Sequence, residues 1–346
     1  MLLVLVVLYV LGTKKTPSII SPLGSVTLSA VLPTGAPMFP SIDQIFSDNH
    51  AENTVVSNDK KWKLIATGDV IPARSVNSKT IAMNDFTWSW KYIAPITKTA
   101  DITVINLETP LVKSCPTTTE GMKFCGDSRH VEGLRAGGVD VVNFANNHMG
   151  NYGAEGITET KQLVEKNDMV ISGLGEAGVK TVKGLNIAFL GYDDIGGWVD
   201  PVARAEKEMM VKQIREAKKT NDLVIVSMSW GIEYEATPNA RQKELAHAAI
   251  DAGADLIIGN HPHWIQSTEM YKGVWISYAH GNTIFDQMWS EQTKYGVIGK
   301  YTFYGTKLID VEFIPTYIKE YGQSTIVDTA KKVDILHSMK QRHIGE

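Results

Sequence analysis

A chain of 346 residues, 43% hydrophobic and 21% charged, has the composition of a globular protein with room for one large core or two smaller ones. Its formal net charge of −4 carries no basic excess, which argues against nucleic acid as a partner. Its two cysteines, Cys115 and Cys125, have no second pair to make a zinc ribbon; a small disulfide or two free thiols remain open, and the compartment decides between them.

The chain opens on "LLVLVVLYVLG", an apolar run followed by Lys14 and Lys15. It is short of the ~20 apolar residues of a membrane span and lacks the basic residues that usually start a signal peptide. Residues 1–15 are therefore expected to be a truncated signal-anchor, with a buried strand as the alternative. Residues 16–61, rich in Ser, Pro, Thr and Gly and weakly periodic, read as a linker.

From Trp62 the texture changes to short runs of Val, Ile, Leu and Phe. They are "WKLIATG" (62–68), "ITVINLE" (102–108), "DVVNFAN" (140–146), "LNIAFLG" (185–191), "DLVIVSMS" (222–229) and "ADLIIGN" (254–260). Each fits a strand buried on both faces. Between them, "GAEGITETKQLVEKN" (153–167), "ARAEKEMMVKQIREAKK" (203–219) and "NARQKELAHAAIDAG" (239–253) read as helices, the last running from a capping Asn239 to Gly253. Alternating strands and helices make an α/β domain with a mainly parallel sheet. "YGVIGKYTF" and "TKLIDVEFIP" then read as antiparallel strands, and "STIVDTAKKVDILHSMKQRH" (324–343) as a closing helix.

Ligands of open α/β sheets bind beyond the carboxyl ends of the strands, so the residues that follow each strand carry the functional signal. Here they are Asp69, Glu108, Asn146, Asn147 and His148, Ser229 and Glu233, Asn260, His261 and His263, and His280 and Asn282. Carboxylate, amide and imidazole delivered to one rim are the donor set of a metal centre. In "IIGNHPHW", Pro262 pushes His261 toward an extended conformation, in which residues i and i+2 point to one side and both imidazoles can aim at one point or at two adjacent ions. His247, within a helix, lacks such a partner and reads as a core or surface histidine. "GLGEAG" (173–178) matches a dinucleotide fingerprint, but the following "VKTVKGLNIAFLG" reads as a hairpin rather than the helix a pyrophosphate needs.

"IATGDVIPAR", "VINLETPL", "VVNFANNHMGNYG", "SWGIEYEATPNARQKELAHAAIDAGADLIIGNHPH" and "GNTIFD" together resemble the CapA family of poly-γ-glutamate capsule biosynthesis proteins, over roughly residues 63–287. The resemblance implies a calcineurin-like metallophosphoesterase fold, an αββα sandwich over residues 62–320 with a helical tail over 321–346. It implies one or two divalent ions (Mn, Zn or Fe) and an extracytoplasmic place anchored to the membrane through the N-terminus. Implied partners are a surface polymer such as poly-γ-glutamate and other capsule-synthesis membrane proteins. Position by position, Asp69 resembles the first metal-binding aspartate, Glu108 the bridging carboxylate, Asn147 the asparagine ligand, and His261 and His263 the terminal histidine pair. His148 resembles the catalytic histidine, and Arg74 and Glu233 are further pocket residues. Two positions depart. Ile71 stands where phosphoesterases carry a histidine, and Ser229 stands in "SWG" where this family commonly has "HWG". A hydroxyl is a poor ligand for a borderline metal, so either one metal position is weakened or another group takes over; His280 is the candidate replacement, with simple divergence of its loop as the alternative. The function implied is a metal-dependent hydrolase or transferase of surface-polymer synthesis or export. The alternatives are a non-catalytic component that binds polymer or partner proteins, and a phosphoesterase of small metabolites.

Overall fold

The structure is a computed structural model that describes residues 39–47, 50 and 58–345. The N-terminal apolar run and most of the expected linker lie outside the described residues.

A short helix, α1 (Ile42–Ile45), precedes the long strand β1 (Lys61–Val70). Helices α2 (Ser75–Met83) and α3 (Ala94–Thr97) lead to β2 (Ile102–Leu107). A two-stranded ribbon, β3 (Leu111–Val112) with β4 (Gly126–Asp127), and α4 (Val131–Ala136) come before β5 (Val141–Asn143). Helix α5 (Gly153–Lys166) connects to β6 (Val170–Ser172). The hairpin expected after "GLGEAG" is β7 (Gly178–Val182) with β8 (Leu185–Asp193). Helices α6 (Lys207–Thr220) and α7 (Ala240–Ala252) link β8 to β9 (Leu223–Ser229) and β9 to β10 (Leu256–Asn260). The rest is β11 (Thr268–Tyr271), β12 (Val274–Ser277), β13 (Asn282–Ile284), β14 (Tyr295–Tyr304), β15 (Lys307–Lys319) and β16 (Gln323–Ile326), closed by α8 (Thr329–Gln341). Helix α7 starts and stops where the sequence marks it. Asn239 and Gln242 form a reciprocal capping box, and Gly253 ends the helix at φ +114°.

The strands form two large sheets. One has the order β16-β15-β14-β1-β2-β5-β6 with β13 also on β1; the other has the order β11-β12-β10-β9-β8-β7. Side chains alternate along a strand with period two, and this chain uses both faces. Leu64, Ile102, Val104 and Val141 from the first sheet meet Ile187, Phe189, Leu223, Ile225, Leu256 and Ile258 from the second in one core cluster. The residues between them face outward. Ile65, Ile105 and Val142 pack under α4 and α5, whereas Ala188, Val224 and Ile257 pack under α6 and α7. The result is four layers, helix–sheet–sheet–helix, the αββα sandwich expected from the sequence.

Two boundaries differ from the sequence reading. Within the expected linker, Ile45 is fully buried and the Phe46 ring stacks on Phe313 at 5.8 Å, because α1 offers apolar residues that β15 and Trp275 cover. The expected closing helix begins late. Ser324–Ile326 pair with Thr316–Ile318 as strand β16, and α8 starts only where Asp328 caps it by accepting from Lys331 N.

Candidate metal centre

Strand parity determines which side chains meet between the sheets. Along β2 the inward residues are Ile102, Val104 and then Asn106, and along β5 they are Val141 and then Asn143. On the facing sheet the inward series ends in Asp193 on β8, Ser229 on β9 and Asn260 on β10. At the carboxyl edge the dry core turns into a buried polar chamber.

Two backbone features bring the acidic residues into it. In β1 the register against β2 shifts between Ala66 and Asp69, a bulge that re-aims Asp69. Gly68 within that bulge is obligatory, since a Cβ there would lie 1.9 Å from the Gly281 carbonyl oxygen. After β10 the chain turns back sharply, with His261 at φ +93° and His263 at φ +58°. This corrects the extended conformation expected before Pro262. Two non-glycine residues in the left-handed region cost about 1–3 kcal/mol each, a strain that concentrates at functional sites. The turn is held by Tyr234 N donating to Pro262 O at 2.8 Å and His261 N donating to Asp69 Oδ1 at 3.3 Å.

Donor atoms of Asp69, Glu108 and His263 lie within 4.8 Å of one another, and all three residues are buried. Asn106 Nδ2 bridges the carboxylates, donating to Asp69 Oδ1 at 3.0 Å and to Glu108 Oε2 at 3.2 Å. Its own Oδ1 accepts from Asn143 and Asn146, each at 3.1 Å. His263 Nδ1 lies 3.0 Å from both Asp69 Oδ2 and Asn282 Oδ1. Because both neighbours are acceptors, Nδ1 carries a proton.

Burial opposes charge on Asp69, but His263 and Asn106 outweigh it and hold the carboxyl below its usual range. Glu108 goes the other way, raised well above the ordinary value by burial and then by the Asp69 charge, with Asp193 and Glu233 adding to it. Burial lowers His261 to about 3, so its ring is neutral rather than cationic. Among the described residues no lysine or arginine pairs with Asp69, Glu108 or Asp193. Glu108 Oε1, His261 Nδ1 and Asn147 Oδ1 are buried with no hydrogen-bond partner. Buried acids without a counter-charge, beside orphaned donor atoms, fit a divalent cation, which would satisfy both at once.

His148 sits next to this cluster with its Nδ1 3.0 Å from Asn151 Oδ1, which also accepts from Phe124 N. That fixes the Nδ1–H tautomer and leaves Nε2 basic. The Phe124 ring stacks on the imidazole at 4.2 Å, and burial lowers the His148 pKa. Arg74 is turned to Asp286, donating from Nε at 3.0 Å, and its guanidinium lies over Phe124 and Phe285 at 4.9 and 5.0 Å. It builds the pocket wall. Glu233 is half-buried on the loop after β9, near enough to act on Glu108 and His148.

His280 is not brought to the cluster, a correction to its candidacy as a ligand. Nδ1 lies 3.3 Å from the Thr67 carbonyl and Nε2 3.0 Å from the Tyr301 hydroxyl, so both nitrogens are engaged within the core. His247 is likewise apart, bonded to Glu269 at 2.7 Å and stacked on Tyr271. Cys115 and Cys125 are joined in a disulfide. Sequence reading places Asn260 and Asn282 at strand ends but assigns them no role, and it misses Asn106, Asn143 and Asp193 as residues of this chamber. The signal for most of them was the period-two continuation of each strand.

The family described as bacterial capsule synthesis protein PGA_cap matches residues 63–287. The capsule biosynthesis protein CapA of Bacillus anthracis is 30% identical over 346 residues, covering 92% of this chain and 80% of that protein. The PGA biosynthesis protein CapA of Bacillus subtilis is 33% identical over 240 residues, covering 64% of this chain and 63% of that protein. Among solved structures, a novel phosphatase from Mycoplasma pneumoniae covers 79% of this chain and 96% of its own, with a TM-score of 0.50 at 14% identity, a likeness of fold alone.

Proposed function

The chain belongs to the bacterial capsule synthesis protein PGA_cap family, has the calcineurin-like metallophosphoesterase fold, and on that premise we propose that it is a metal-dependent hydrolase or transferase in the synthesis or export of a poly-γ-glutamate surface polymer. The observation that carries this reading is the buried Asp69–Glu108–His263 cluster, with His261 Nδ1 3.8 Å from Glu108 Oε1 and neither of those two atoms hydrogen-bonded.

Asp69, Glu108 and His263 would hold a divalent cation such as Mn, Zn or Fe, with Asn147 and His261 adjoining. A cation there supplies Lewis acidity that makes water nucleophilic near neutral pH. The remaining chemistry belongs to the chain. Asn106 and Asn282 orient the ligands through hydrogen bonds, as second partners do in metal sites. His148, held through Nδ1 by Asn151, would take up at Nε2 the proton that the attacking water gives up and pass it to the leaving group. Arg74, fixed by Asp286, contributes positive charge to the pocket wall for an anionic substrate. The disulfide supports a place outside the cytoplasm. Among the described residues no helix is long and apolar enough to cross a membrane.

Elemental analysis tests the site. Asp69→Asn and His261→Ala should each carry far less metal than the wild type, and unchanged content would remove the assignment. Incubating the metal-loaded protein with a generic phosphodiester and with poly-γ-glutamate tests the reaction. Cleavage of either supports catalysis, whereas inertness toward both with metal bound favours a polymer-binding component.

A further inference from the structure

Sheet register lines up three residues at the edge of the second sheet. Asp193 pairs with Ser229, and Ser229 pairs with Asn260, in parallel strands β8, β9 and β10. Register neighbours in parallel strands project to the same face. That face is the inward one. A Cβ on Gly191, two residues before Asp193, would lie 1.9 Å from Asn143 Oδ1 on the opposite sheet, so Asp193 points the same way, one step nearer the edge. Asn143 donates to Asn106, which in turn holds Glu108.

All three members of the row are buried, 0%, 0% and 2% exposed. The Ser229 hydroxyl faces the Asp193 carboxylate, and among the described residues Asp193 Oδ1 and Asn260 Oδ1 have no other hydrogen-bond partner. Asp193 is not loosely placed. Its Oδ2 accepts from Trp198 Nε1 at 2.6 Å and Gly196 N at 3.2 Å, and its backbone is tied to Ala203 and Ala205. The bonds to Oδ2 therefore set the carboxylate, and Oδ1 is left over. Buried polar atoms in native interiors are normally satisfied, and this row sits at the carboxyl edge of its sheet, where the Asp193 charge acts on Glu108.

The geometry points to Asp193 as a metal ligand: with Glu108, Asn147 and His261 it forms a second cation position, supplying through Oδ1 the donor that the Ser229 hydroxyl cannot. The assignment rests on the metal-centre reading above. It also gives that position a chemical preference. Carboxylate and amide oxygens with one imidazole are a hard, oxygen-rich set, which suits Mn²⁺ better than the nitrogen- and sulfur-seeking Zn²⁺.

The full chain, stripped by chelator and titrated with Mn²⁺, should bind two equivalents and give the electron paramagnetic signal of a manganese pair. Asp193→Asn should bind one equivalent and lose the pair signal, and Asp193→Asn combined with Ser229→His should regain the second. Asp193→Asn keeps an acceptor for Trp198 and removes a buried charge, so its metal-free melting temperature should not fall. If it nonetheless fails to fold, Ser229→His alone carries the test, shifting the preference of the second equivalent toward Zn²⁺ by about tenfold or more; an unchanged preference overturns the assignment. So does an Asp193→Asn protein that binds as many equivalents as wild type, or a wild type that binds only one. A wild type that binds none removes the metal-centre reading itself.

Discussion

Asn106 holds no position that a search for metal ligands would mark, yet it ties Asp69 to Glu108 through one amide nitrogen. Losing a partner of this kind usually costs 10–100-fold in metal affinity. Asn106→Ala should therefore weaken Mn²⁺ binding by about 10–100-fold in chelator competition; wild-type affinity would show the amide to be dispensable. A second residue-scale prediction lies away from the site. His130 is buried against Asn77 at 3.1 Å, and burial lowers its pKa to about 3. The unfolded chain takes up a proton on this ring below about pH 6.5, and the folded chain refuses it. Its contribution to stability is whole above pH 6.5 and lost as pH falls toward 3, by at most about 1.4 kcal/mol per pH unit. In urea unfolding between pH 7 and 5, His130→Gln should lose stability less steeply than wild type, and parallel slopes would refute the linkage. Asp69, Glu108, His261 and His263 were legible in the sequence because they directly follow apolar runs. His280 follows one too, but its position did not reveal that both ring nitrogens are engaged by Thr67 and Tyr301.

Between β3 and β4, the disulfide-closed segment 115–125 lays Phe124 against His148. Phe124 lies on the imidazole, Arg74 donates to Gly121 O at 3.2 Å, and Asn77 Nδ2 lies 3.4 Å from Cys115 Sγ. Burial is the main cause of the lowered His148 pKa, so loosening the segment should raise it. Phe124→Ala, or reduction of the disulfide, is expected to move the His148 titration upward toward the ordinary 6.5, read from its ring proton shifts by NMR. Opening a loop of this size should also cost about 2–3 kcal/mol in stability. An unmoved titration would mean that the segment does not shield the ring. Elements with strong periodicity, α7 and the buried strands, could be read from the sequence nearly to their ends. The turn after β10 could not be, since proline restriction favours extended backbone at His261, and the contacts of His261 N and Pro262 O override it.

At the scale of the molecule, the candidate ligands come from both sheets. Asp69, Glu108 and Asn147 follow strands of the first, and His261 and His263 follow β10 of the second. The apolar core between the sheets ends where this chamber begins, so at that edge buried carboxylates face each other without a compensating cation of their own. The layered fold was legible because alternating and continuous apolar runs dictate which faces must be covered. The closeness of the two polar rows was not, because it depends on Gly191 letting Asn143 approach β8. A cation bound across that edge joins the sheets and relieves the repulsion together, so binding should appear as global stability rather than as a local effect. A ligand that binds only the folded state adds about 2.7 kcal/mol at a hundred times its dissociation constant, and a chain of this size gains roughly 2–4 °C in Tm per kcal/mol. Removing metal with a chelator should lower Tm by several degrees, and returning Mn²⁺ should raise it in proportion to the logarithm of its free concentration. Hydrogen exchange should then slow at the carboxyl ends of β1 and β10 before it slows elsewhere. A Tm that stays flat over a thousandfold range of Mn²⁺, in protein shown to bind the ion, would place the ion outside the seam between the sheets.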